Sequence, residues 1–131
     1  MSLSFDKALG IHPDALRVRS TRLELLASNL ANADTPHYKA QDIDFRAALD
    51  NARQDRGVSL TRTHAAHIAG GAPDSGLDIQ YRVPTQPSLD GNTVDPQLEN
   101  AVFSENAIQY QASLNFLSDR FSGLNKAIKG E

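Results

Sequence analysis

Between positions 103 and 128 apolar residues recur at alternating steps of four and three. The series is Phe103, Ala107, Tyr110, Leu114, Leu117, Phe121, Leu124 and Ile128. A continuous a/d pattern of this length is the coiled-coil template. Asp95 offers an N-cap oxygen, and Pro96 suits the first helical position, where a missing N–H costs nothing. Lys126 and Lys129 suit the negative end of a helix dipole, and Gly130 follows as a stop. The pattern predicts one helix over about 96–129, roughly 50 Å long at 1.5 Å per residue. A helix of that length must cover its stripe with something.

The N-terminal end also reads as helix. Leu9, Leu16, Leu23 and Leu30 repeat every seven residues, with Leu26 and Ala27 between the last two. A second stripe runs through Ile11, Ala15, Val18 and Leu25. Two adjacent stripes make a wide apolar face, suited to more than one partner. Pro13 lacks an N–H and crowds the preceding turn. The expectation is a main helix over about 13–32, with the turns from Ser4 to Gly10 bending away. Asn32 is expected as a left-handed stop, and Thr35 before Pro36 is pushed to extended geometry. This helix, roughly 30 Å long, is too short to cover the C-terminal stripe.

The middle of the chain is turn-rich. Five of the eight Gly and four of the six Pro fall between 50 and 96. Leu77, Ile79, Tyr81 and Val83 alternate with polar residues and predict a half-buried strand over 77–83. Val58 and Leu60 predict a shorter one over 58–62. The expected fold class is mainly α. N- and C-terminal helices (1–35 and 95–131) pack as a coiled-coil-like pair around a small middle segment (36–94) with short β-strands. Partner chains are the simplest cover for the stripe, so the pattern suggests a subunit that packs against copies or relatives of itself.

Composition removes several function classes. The chain has 131 residues, a formal charge of −3 and no Cys. The acidic balance argues against nucleic acid as a partner, which needs a net basic face. No apolar run approaches 18 residues, so no membrane insertion is expected. MSLSFDKALG lacks a basic segment followed by an apolar run, so no cleavable signal peptide is expected. Without Cys there are no disulfides, thiolate zinc sites or Cys nucleophiles. His64 and His67 sit at i, i+3 but lack a carboxylate partner, and Gly70-Gly71 follows. Asp90-x-Asn92 has its glycine in the wrong place for a calcium loop. Ser28, Asp34 and His37 are triad residue types with no sign of an oxyanion hole. No catalytic residue, metal or cofactor is therefore expected. Arg17, Arg19 and Arg22 read as a solvated or intersubunit charged face.

Four strings carry a resemblance. Residues 28–40 read SNLANADTPHYKA, 42–45 DIDF, 80–95 QYRVPTQPSLDGNTVD and 105–114 ENAIQYQASL. Together they resemble the flagellar basal-body rod proteins, with PSLDGNTVD and ENA…YQASL most similar to the proximal rod type. The motif residues are Asn29, Asn32, Ala33, Asp34, Thr35, Pro36 and Tyr38. Members commonly carry Gly where this chain has His37. If the turn there needs a positive φ, His bears a steric cost that Gly does not.

The resemblance implies a non-enzymatic structural subunit. Such proteins are exported unfolded through the flagellar type III apparatus at the inner membrane and assemble in the periplasm as a short helical tube. Their terminal helices enclose the axial export channel, and the rod transmits torque. The implied partners are copies of the chain, other rod proteins, the rod adaptor at the MS ring, the MS ring itself and the type III export gate. The intersubunit or core stripe is then Phe103, Ala107, Tyr110, Leu114, Leu117, Phe121, Leu124 and Ile128, with Leu16, Leu23, Leu26 and Leu30. Phe45 and Leu49 match a weak F-x-x-x-Φ export pattern, and also read as i, i+4 neighbours on a short amphipathic helix. Asn29 and Asn32 either bond a neighbouring subunit or cap their own helix. The reading from another class is a soluble cytoplasmic coiled-coil adaptor.

Overall fold

The computed structural model describes residues 5–55 and 77–130. The elements in chain order are α1 (Phe5–Leu9), α2 (His12–Ala31), β1 (Gln41–Ile43), α3 (Phe45–Asp55), β2 (Ile79–Tyr81) and α4 (Pro96–Lys129). The fold is mainly α, with two long terminal helices and a small antiparallel sheet between them. The 58–62 strand and the pair His64 and His67 lie outside the described residues.

Local chemistry sets the helix ends. The Asp95 carboxylate accepts from the N–H groups of Gln97 (3.0 Å) and Leu98 (3.3 Å), and Pro96 opens α4. Gly130 closes α4 in the left-handed region at φ +74°. Gly10 has φ +59° and separates α1 from α2 just ahead of Pro13, so the chain turns there as expected. Asn32 caps α2 without being left-handed, at φ −105°. Its side chain reaches back to the carbonyl of Ser28 at 2.8 Å, which satisfies the helix end without a positive φ.

The two long helices run antiparallel. Asn29 meets Glu99, Arg19 meets Asn106, and His12 faces the ring of Phe116. α2 has 20 residues and α4 has 34, so part of α4 extends past its partner. On its other side α2 packs on β1 and α3. Val18, Ile43 and Ala48 form the buried apolar cluster, with Leu25, Phe45 and Leu77 against it. Leu26 and Ala40 are also fully buried.

The sheet is smaller than the alternation implies. β2 covers only Ile79–Tyr81 of the expected 77–83, pairing Ile43 with Ile79 and Gln41 with Tyr81. Ile79, Tyr81 and Val83 are exposed rather than half-buried. A two-stranded sheet has one partner strand per strand, and β2 lies on the outside of this one. α3 is the short amphipathic helix expected from Phe45 and Leu49 as i, i+4 neighbours. The Asp44 carboxylate starts it by accepting from Arg46 and Ala47.

Candidate functional site

The turn after α2 and the loop before α4 are joined by one side chain. Asn92 is buried, and its amide donates to the carbonyls of Asn32 (2.9 Å), Ala33 (2.8 Å) and Thr35 (2.9 Å). Its own carbonyl oxygen accepts from Val94 N–H at 2.8 Å. Backbone bonds run beside it, from His37 N–H to Asp90 O and from Thr93 N–H to Tyr38 O, both 3.0 Å. Thr93 Oγ1 accepts from Ala40 N–H at 2.8 Å. The string ANADTPHY is thus read by the string LDGNTVD, some sixty residues away.

This turn does require a positive φ, and His37 adopts +61°. Gly91 opposite is also left-handed at φ +75°, and a Cβ there would lie 2.9 Å from His37 Nδ1. Glycine at 91 is therefore required by both conformation and space.

A second polar group ties four elements together. Asn29 is fully buried in the last turns of α2. Its amide donates to Gln41 O (2.7 Å) and to Glu99 Oε1 (3.0 Å), and its oxygen accepts from Gln41 N–H (3.0 Å) and Tyr38 OH (3.2 Å). Arg82 donates one nitrogen to Glu99 Oε1 at 2.6 Å and another to Asp42 Oδ2 at 2.7 Å. Arg22 completes the group with a two-pronged contact to Asp42, at 2.8 and 3.0 Å. Burial pushes the Glu99 carboxyl above its usual range, although Arg82 and Asn29 pull the other way. Burial acts upward on Asp42 too, but hydrogen bonds from Arg22 and Arg82 outweigh it and hold its carboxyl below the usual range.

The expected stripe residues are divided. Leu26 is fully buried, and Leu16, Leu23 and Leu30 are half-buried. On α4, Phe103, Ala107, Tyr110, Leu117 and Leu124 are half-buried. Leu114, Phe121 and Ile128 are exposed, at 41%, 48% and 79%. The fully buried positions of α4 are polar, Glu99 and Asn106. Asn106 donates to the carbonyl of Arg19 at 3.0 Å.

Of the motif residues, Asn29 and Tyr38 belong to the buried group. Asn32, Ala33 and Thr35 present carbonyls to Asn92, whereas Asp34 and Pro36 are exposed. Phe45 and Leu49 stand on one face of α3. Phe45 also packs on the apolar cluster, with the Arg19 guanidinium 4.0 Å from its ring centroid. Arg17 is exposed, but Arg19 and Arg22 are held within the chain. The sequence reading missed Glu99, and it gave no role to Asp42 or Arg82 and only a turn position to Asn92. The last three lie inside the strings that carried the resemblance, the one signal that pointed to them.

Residues 11–39, covering α2 and the turn after it, match the family model described as flagella basal body rod protein. The flagellar basal body rod protein FlgB of Aeromonas hydrophila is 52% identical over 132 residues, covering 100% of this chain and 99% of its own. FlgB of Cereibacter sphaeroides is 52% identical over 127 residues, covering 97% and 98%. FlgB of Salmonella typhimurium is 44% identical over 131 residues, covering 95% of each. The chain belongs to the FlgB family of flagellar basal body rod proteins. It is a structural protein of the flagellar basal body rod, and the family implies assembly with other basal body components.

Within this family fold the Asp42 cluster makes a testable contribution. Asp42→Asn is expected to cost about 2 kcal/mol at pH 7, the range for charge-assisted hydrogen bonds. A carboxyl whose folded pKa is depressed adds stability above its unfolded pKa and loses it as pH falls through the folded value. The gap between variant and parent should therefore close below about pH 4. Glu99 acts with the opposite sign, favouring the folded state while protonated, but it is present in both proteins and largely cancels. Urea unfolding followed by circular dichroism at several pH values checks this.

The His37 turn makes another. His37→Val places a β-branched residue at positive φ and is expected to cost about 1–2 kcal/mol. His37→Gly relieves the steric cost but loosens the unfolded chain, so it should stay within about 0.5 kcal/mol of the parent. The same unfolding experiment ranks the three proteins.

Proposed function

We propose that the chain is a subunit of the proximal rod, polymerising through its terminal helices into a helical tube that encloses the export channel and transmits torque. Family membership supplies the setting. The observation that supports polymerisation is the mismatch between α2 and α4, 20 residues against 34. Past the start of α2 it leaves Phe121 and Ile128 exposed along α4, in line with the expected intersubunit stripe. In this reading the terminal segments 1–35 and 95–131 form the channel layer and 36–94 the outer piece. The subunit has no catalytic role and takes no cofactor. Its partners are copies of itself, other rod proteins, the rod adaptor, the MS ring and the type III export gate. It works in the periplasm.

Deleting the gene should leave basal bodies with bare rings and no rod or hook in electron micrographs, restored by complementation. Phe121→Asp tests the face directly. Because Phe121 is exposed within the chain, the variant should fold. Burying the new carboxylate between subunits would cost several kcal/mol, enough to stop assembly. Rods built normally from Phe121→Asp would remove this face from the intersubunit contact.

Phe45 and Leu49 are proposed as the export signal, read while the chain is unfolded. Phe45→Ala should lower the amount of chain reaching the periplasm, measured by fractionation and immunoblotting. Unchanged periplasmic levels would leave Phe45 with its packing role alone.

A further inference from the structure

Two faces of α4 compete for α2. Both use the line Phe103, Tyr110 and Leu117. One adds Glu99, Asn106 and Ser113; the other adds Ala107, Leu114 and Phe121. The second is far more apolar, and burial alone favours it. The two arrangements differ by a rotation of α4 of about 40° about its axis, given 100° per residue. The structure takes the polar one: Glu99 is 0% exposed and Asn106 1%, while Leu114 and Phe121 remain outward.

The reason lies in what those polar groups meet. Glu99 is held by Asn29 and Arg82, and Asn106 by the Arg19 carbonyl. Rotating α4 the other way would strand Asn29 and Arg82 without Glu99. The fit is incomplete, since Glu99 Oε2, Asn106 Oδ1 and Arg19 Nε are buried with no hydrogen-bond partner among the described residues. Polar side chains at a helix seam cost more to bury than the apolar ones the other face offers. Buried polar residues at seam positions are known to select register at a cost in stability.

We propose that Glu99 and Asn106 are register-selecting residues. They hold the less apolar face of α4 against α2 and so keep Leu114 turned outward, in line with Phe121 and Ile128, for a second copy of this chain. The outward line as a contact between copies rests on the subunit reading above; the choice of face within the chain does not.

The chain contains no Trp, so Leu114→Trp introduces a single reporter on the outward line. In the otherwise unchanged chain acrylamide should quench it readily. Adding Glu99→Ala and Asn106→Ala removes the polar selection and lets α4 turn its apolar face inward. Close packing then shields the indole, and the quenching constant should fall about twofold. An unchanged constant in a variant that keeps its helical circular dichroism overturns the proposal.

If that double variant loses its helix signal, Glu99→Gln with Asn106→Ala carries the test, because it removes the charge pairing to Arg82 and the Asn106 contact while leaving a polar group beside Asn29. Leu114→Lys should leave the urea midpoint of the parent unchanged and lower it in the Glu99→Gln, Asn106→Ala background. Equal effects in the two backgrounds overturn the proposal. Rod assembly separates the choice of face from the contact between copies. A double variant that shields the indole yet still builds rods supports the register role and sinks the outward line as the subunit contact. Unchanged quenching overturns the register role whether or not rods form.

Discussion

Glu99 lies in the first turns of α4 with its carboxylate fully buried, one oxygen shared between Asn29 of α2 and Arg82 just after β2. Removing a carboxylate from water is costly unless it is hydrogen-bonded and faced by a cation. Asn29 supplies the first condition and Arg82 the second. Arg82 is in turn fixed by Asp42, and Asp42 by Arg22. The start of α4, the end of α2 and both strands therefore have one mutually compatible arrangement. Moving any of them would leave a charge or an amide unpaired inside the chain.

That dependence explains why a fold with so little apolar core holds a defined shape. The buried apolar cluster is small, and its neighbours Leu25, Phe45 and Leu77 are only partly covered. Direction and register come from polar contacts. Asn92 performs the same service at the other end of the turn, binding the carbonyls of Asn32, Ala33 and Thr35 just beyond the helix. Apolar surface that is not needed for this internal arrangement remains on α4. For a rod subunit, surface left over in the single chain is what assembly can use.

Much of the helical architecture was legible. The Asp95 cap, Pro96, the heptad series and Gly130 act within a few residues of one another, so they define α4 before any tertiary contact forms. Gly10 and Pro13 set the break between α1 and α2 in the same local way. The polar group was not legible, because its members are distant in sequence and ordinary in type. Glu99 in a helical first turn reads as a favourable dipole partner. Nothing within its own segment says that it is buried against Asn29, 70 residues earlier. Heptad counting weighs apolar residues only, so it selected Ala107, Leu114 and Phe121 over Glu99 and Asn106.

By itself the sequence determined the two long helices, their ends, the need for a positive φ or a tolerant residue at position 37, and the rod family. Each of these follows from local backbone chemistry or from strings with a fixed order. Only the tertiary structure decided which face of α4 turns toward α2. A helix can present any of its faces at equal backbone cost. The choice is made by whichever partners can satisfy its polar groups, and those partners are brought together only once the chain has folded.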